Sequence, residues 1–161
     1  PTSSTLFYYG KLERLVIHCT ATPPGREVSA ADIHRWHTAP VSQGAELAQV
    51  GYTDLIHLDG SVERLVPNNE DRTVDPWEIT NGAVVNATSR HIAYAGGVAR
   101  RNGTTPCRHP ALRQQKSALE HYVRDFAARF PGAAVVGHNE LAAKACPSFD
   151  VQAWLRETGI L

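Results

Sequence analysis

No apolar run in the 161 residues approaches the ~20 needed to cross a bilayer as a helix, so no helical membrane span is expected. Charge of one sign is also missing. Sixteen basic residues balance 16 acidic ones, so nothing drives nonspecific binding to nucleic acid or to an anionic membrane surface. Cysteine is scarce. Cys19, Cys107 and Cys146 cannot all pair, which excludes a disulfide framework, favours cytoplasmic synthesis and leaves a thiol for chemistry. Residues 1–9 lack a charged segment followed by an apolar one, so no signal peptide is visible. Internal repeats, low-complexity linkers and heptads are absent as well, which points to a single domain over residues 1–161 and to a monomer. A domain of this size buries roughly 70% of its unfolded-chain surface, and so needs neither a disulfide nor a structural metal merely to fold.

Apolar and β-branched residues dominate 12–20, which predicts a buried strand ended by Thr22-Pro23-Pro24-Gly25. Ser29-Ala30-Ala31-Asp32 has the form of a capping box and should open a helix over 30–37. Segments 51–58, 60–66 and 91–97 are strand candidates, with Asp59-Gly60 as the hairpin turn between the first two. Residues 68–82 read as a polar loop. Pro110 should start the longest helix, over 111–130, in which Leu112, Leu119, Tyr122, Val123 and Phe126 recur at helical spacing. A short apolar strand over 133–136 then leads into His138, and Asp150 is placed to cap a last helix over 151–157. Strands alternating with helices imply an α/β fold, a central mixed β-sheet flanked by helices.

The densest chemistry lies in Gly137-His138-Asn139-Glu140-Leu141-Ala142-Ala143-Lys144-Ala145-Cys146-Pro147-Ser148-Phe149-Asp150, taken with Ile17-His18-Cys19-Thr20 far upstream. Two imidazoles and a thiol are preferred zinc donors, and three protein ligands leave a fourth tetrahedral position for water. Zinc lowers the pKa of such a water to about 7, so an open site is a hydrolytic site. Each residue also has a plainer reading. His18 could be a satisfied core histidine, Cys146 a small buried hydrophobe, Lys144 a surface charge and Tyr52 a half-buried strand residue. A Cys146–His138 thiol hydrolase is a further alternative. No His-Glu-x-x-His frame is present, so Glu140 is not a base of that type. Cys19 follows His18 on a strand, points to the other face and should not share a metal with it.

With His18 ending the first strand, Gly51-Tyr52 on a second, and the block from His138 through Lys144 to Cys146-Pro147-Ser148-Phe149-Asp150, the chain resembles the zinc-dependent N-acetylmuramoyl-L-alanine amidases. These belong to the superfamily of peptidoglycan recognition proteins and phage amidase-type lysozymes. The resemblance runs over about residues 12–155. It implies a Zn2+ ion held by His18, His138 and Cys146, with Tyr52 assisting catalysis and Lys144 stabilising the transition state. Asn86-Ala87-Thr88-Ser89 resembles the family's Asn-x-x-Ser entry to a strand, which puts Asn86 in the substrate groove, with His91 near it as a second substrate contact. The implied reaction is hydrolysis of the amide between N-acetylmuramic acid and L-alanine in peptidoglycan, at the cell wall. A non-catalytic peptidoglycan-binding module is the competing reading, and it commonly lacks the cysteine present here.

The chain departs from the family pattern at several positions. Gly51-Tyr52-Thr53-Asp54 stands where Gly-Tyr-His-Phe is usual, and Arg90-His91 where Ile-Gly is usual. Residues 68–81, with Trp77 as a loop anchor or sugar platform, have no counterpart in shorter members. These changes spare the implied ligands and bear on the groove. Of the other histidines, His34 and His37 near Trp36 read as a solvated helix face. His57, His109 and His121 take structural or surface roles.

Overall fold

The structure, a computed structural model, describes residues 12–47, 50–66, 79–80, 83–84, 88–98, 111 and 113–161. Its elements, in chain order, are β1 (Arg14–Cys19), α1 (Ala30–Thr38), β2 (Asp54–Ile56), β3 (Val62–Arg64), β4 (Ile79–Thr80), β5 (Ala83–Val84), β6 (Ser89–Tyr94), α2 (Arg113–Arg129), β7 (Ala134–Gly137) and α3 (Val151–Thr158). Five strands form one sheet in the order β3-β2-β6-β1-β7, and β4 pairs with β5 separately. Only the β2–β3 edge of the large sheet is antiparallel. This is the expected mixed sheet with flanking helices.

The central strands are buried on both faces, which is why β1 reads as a nearly unbroken apolar run. Alternation still sorts their side chains. Leu15, Ile17 and Cys19 of β1 and Ile92 and Tyr94 of β6 join the main core with Leu119, Val123 and Phe126 of α2 and Trp154 and Leu155 of α3. A second cluster joins Val28, Ile33 of α1, Val50, Leu55 and Ala95. His18 lies out of register with the main-core residues of its strand, as the alternation requires, while Cys19 packs among them.

Most helix ends form as the sequence expects. Ser29 Oγ accepts from the Asp32 N–H, Asp32 accepts from the Ser29 N–H, and Asp150 Oδ1 accepts from the Ala153 N–H. Gly60 supplies the left-handed residue (φ 88°) of the β2–β3 turn. The strand bounds were less legible. β2 is only Asp54–Ile56 within the expected 51–58, and β6 runs two residues earlier and stops sooner than 91–97. The polar loop expected over 68–82 is corrected at its end, where Ile79–Thr80 pairs antiparallel with Ala83–Val84. Trp77, Asn86, Cys107, His109 and Pro110 lie outside the described residues.

Two of the departures in sequence turn toward the α2 side. Buried Asp54 takes Arg64 Nε at 2.7 Å and the Tyr122 hydroxyl of α2 at 2.5 Å. The Arg90 guanidinium stacks over Phe126 and Phe130, 5.5 and 5.2 Å from their ring centres. These residues tie the sheet to α2.

Candidate metal centre

The site forms where β1 and β7 end side by side. Their parallel pairing sets Ile17 against Gly137, so His18 and His138 leave adjacent strands at the same level. His138 opens a short 3₁₀ turn, His138–Glu140. Glu140 Oε2 accepts the Gly137 N–H at 2.6 Å, and Gln152 of α3 donates to both Glu140 and the Val135 carbonyl. That relay holds the turn against α3. Any side chain at Gly137 would collide with Asn139, Val151 and Pro147, so glycine permits the close packing beneath His138.

Cys146 arrives on the following loop. The Tyr94 hydroxyl reaches out of the core to donate to the Pro147 carbonyl at 2.6 Å, fixing the turn after the thiol. The Cys19 N–H donates to Cys146 Sγ at 3.3 Å. The donor atoms of His18, His138 and Cys146 all lie within 4.8 Å of one another. The His18 and His138 rings meet edge to face at 4.7 Å, and His18 Nδ1 lies 3.7 Å from Cys146 Sγ.

Electrostatics favour neutral imidazole here. Burial, then the neighbouring imidazoles of His91 and His138, hold His18 well below its ordinary value. His91 is lowered to about 3, again first by burial. The Cys146 thiol is pushed up by its hydrogen bond with the Cys19 thiol and by burial, while the Lys144 charge pulls it down. Two nitrogen donors and one sulfur converging at one place, with the His18 imidazole held neutral, fit a zinc ion. Bringing the thiol in as thiolate would release a proton.

Tyr52 is half-buried, with its ring 5.2 Å from that of His18 and its hydroxyl donating to the Cys19 carbonyl at 3.2 Å. Lys144 is exposed and helps line a cavity of about 280 Å3 with Cys19, Gly97, Cys146 and Ser148. His91, expected against substrate, is 2% exposed and places Nδ1 2.8 Å from His18 Nε2. Asn86 lies outside the described residues. His37 corrects the expected solvated face, because burial lowers its pKa, its Nδ1 accepts the Gly51 N–H at 2.9 Å and its ring packs edge-on against Tyr52. Its neighbour His34 is exposed, as expected. A larger hollow of about 950 Å3 lies between the β2–β3 turn and α2, but none of the clustered donors lines it, so size does not locate the chemistry.

Comparison with known proteins gives an independent line of evidence. A family model described as N-acetylmuramoyl-L-alanine amidase matches residues 8–149. The endolysin of Enterobacteria phage K11 is 31% identical over 87% of this chain and 83% of its own length, and that of Klebsiella phage KP32 is 29% identical over 88% and 83%. Among solved structures, the amidase LysC from Clostridium intestinale is similar with a TM-score of 0.67 at 19% identity, covering 94% of this chain and 88% of its own. A human peptidoglycan recognition protein, solved with a muramyl pentapeptide ligand, has a TM-score of 0.58 at 17% identity, covering 84% and 76%.

Proposed function

Because the chain belongs to the N-acetylmuramoyl-L-alanine amidase family, an enzyme family acting on peptidoglycan, we propose that its hydrolytic site is a zinc centre held by His18, His138 and Cys146. The observation that carries this reading is the convergence of two imidazoles and one thiol at the paired ends of β1 and β7. Bound there, zinc supplies an acidified water and a Lewis acid for the scissile carbonyl.

The chain's own residues supply the rest. Lys144, on the exposed side of the same loop as Cys146, brings an ammonium to the place where negative charge develops on the carbonyl oxygen. Its charge already acts on both His18 and Cys146. Tyr52 has its proton committed to the Cys19 carbonyl, so its oxygen presents lone pairs that can hold a water or a substrate N–H. His37 packs edge-on against the Tyr52 ring and supports it. Asn86 is assigned to the substrate groove on the family pattern alone. All three proposed ligands come from one chain, so a monomer suffices. The substrate sets the place of action at the cell wall. Among the described residues no helix is long and apolar enough to cross a membrane.

A wall-binding module without activity has no need for the third donor, Cys146. A thiol hydrolase needs one imidazole base beside its sulfur, whereas here two imidazoles converge on it. The test joins metal analysis to an assay of free L-alanine amino termini released from purified cell wall. One zinc per chain, with activity lost to a chelator and restored by zinc, is expected. Full activity in a zinc-free preparation would overturn the metal reading in favour of the thiol one.

A further inference from the structure

We propose that His91 is a positioning residue for His18, accepting the His18 Nε2–H at its own Nδ1 and thereby committing His18 Nδ1 as the metal donor. This deepens the zinc reading and rests on it. The two nitrogens are 2.8 Å apart, and the other ring nitrogen of His18 is the one facing Cys146 Sγ, at 3.7 Å. A neutral imidazole carries one proton, so the direction of the 2.8 Å bond decides what Nδ1 can do. If His18 donates, Nδ1 holds a lone pair toward the thiol. If His91 donates, His18 must carry its proton on Nδ1, where it blocks a metal.

The first direction is the one the zinc reading requires, and several observations mark His91 as placed for it. His91 is 2% exposed, and its backbone is tied on both sides to Thr53, whose hydroxyl accepts the His91 N–H at 3.1 Å and whose N–H donates to the His91 carbonyl at 2.8 Å. The main chain is therefore fixed where the ring leaves it, and the ring is enclosed by the fold. Among the described residues its Nε2 has no hydrogen-bond partner. A histidine kept only for packing would be replaced at no loss by an apolar side chain, since a buried polar atom without a partner costs free energy. Among the described residues, the one hydrogen bond of its ring is to the proposed ligand. Metal-bound histidines commonly donate their second N–H to an acceptor that fixes tautomer and ring orientation. Here a buried neutral imidazole takes that part, which avoids burying a second anion beside the thiolate.

Zinc affinity, measured by competition with a chromogenic chelator, is the first readout. His91→Leu should weaken it by roughly 10–100-fold. His91→Asn, whose amide oxygen can stand near the place of Nδ1, should recover most of that loss. Equal affinity in wild type and His91→Leu overturns the proposal, as does an Asn variant that folds normally yet binds as weakly as the Leu one. The second readout needs no metal and no variant. Nitrogen-15 NMR of the metal-free wild type should show His18 and His91 each protonated at Nε2, and a proton on His18 Nδ1 overturns the proposal. A wild type that takes up no zinc while showing the expected tautomers would defeat the ligand reading and leave the hydrogen bond standing.

Discussion

His18 and His57 each hold a hydrogen bond through a ring nitrogen to another titratable side chain, yet the protein drives their charge in opposite directions. His18, at the end of β1, is buried among His91 and His138, and burial with two imidazole neighbours keeps it neutral. His57, just past β2, is partly open to solvent and lies between Glu27 at 3.1 Å and Glu63 at 2.9 Å. Burial alone would lower its pKa, but the hydrogen bonds to Glu63 and Glu27 outweigh that and raise it. The first environment suits the proposed metal donor, and the second favours a protonated ring that ties the loop before α1 to the β2–β3 edge. Surroundings assign the role, and each surrounding can be altered separately.

The largest effect should come from breaking the buried side outright. Cys146→Ser and His138→Ala should each lose zinc and wall-lytic activity together, read by metal analysis and release of L-alanine termini, because removing one of three donors dismantles the proposed site. Lys144→Ala comes next. Removing a positioned oxyanion stabiliser costs about 10²–10³ in kcat, or about 2.7–4 kcal/mol. This variant should keep its zinc, with kcat and kcat/KM falling together. Unchanged kcat, or loss of zinc, would take Lys144 off the catalytic list.

His37→Ala should act more gently. It strips the acceptor from the Gly51 N–H and the support from the Tyr52 ring, so stability should fall by about 1–3 kcal/mol in denaturant titration while zinc stays bound. The smallest effect is expected on the charged side. His57 has a folded-state pKa above its unfolded value of about 6.5, so its contribution is complete below that value and is lost as pH rises through the raised one. Wild type should therefore exceed His57→Gln in stability by less than about 1 kcal/mol at acidic pH, and the gap should close in alkaline buffer. A gap that widens with pH would reverse the assignment of charge.

What could be read in the sequence was local. The block from His138 to Asp150 carries two proposed ligands, a cationic side chain and a helix cap within one loop, so neighbouring residues suffice to recognise it. The helix caps at Ser29 and Asp150 are local too, and both formed. His91 and His37 were harder, because their partners come from other elements. The contact of His91 with His18 depends on the parallel register that sets Val16 against His91, and no short-range pattern states a register. Period-two alternation along β6 was the available signal, for it separates His91 from Ile92 and Tyr94 of the core. His37 shares a helix with exposed His34, which suggested water on both. Its partner, the Gly51 N–H, lies on another segment. Asp54 and Arg90 looked like changes to the groove and instead join the sheet to α2, a distinction that depends on which face each strand residue takes.

The sulfur and the first imidazole of the proposed site are separated by 128 positions along the chain. At a synthesis rate of about 5–20 residues per second, His18 has been made for several seconds before Cys146 exists. On the proposed ligand set, a chain that ends before Cys146 lacks a donor and with it the means of cutting a wall. If the proposed donors are right, activity waits for nearly the whole polypeptide, and a proteolytic nick that lets β7 drift from β1 would silence the enzyme without touching a single reactive atom.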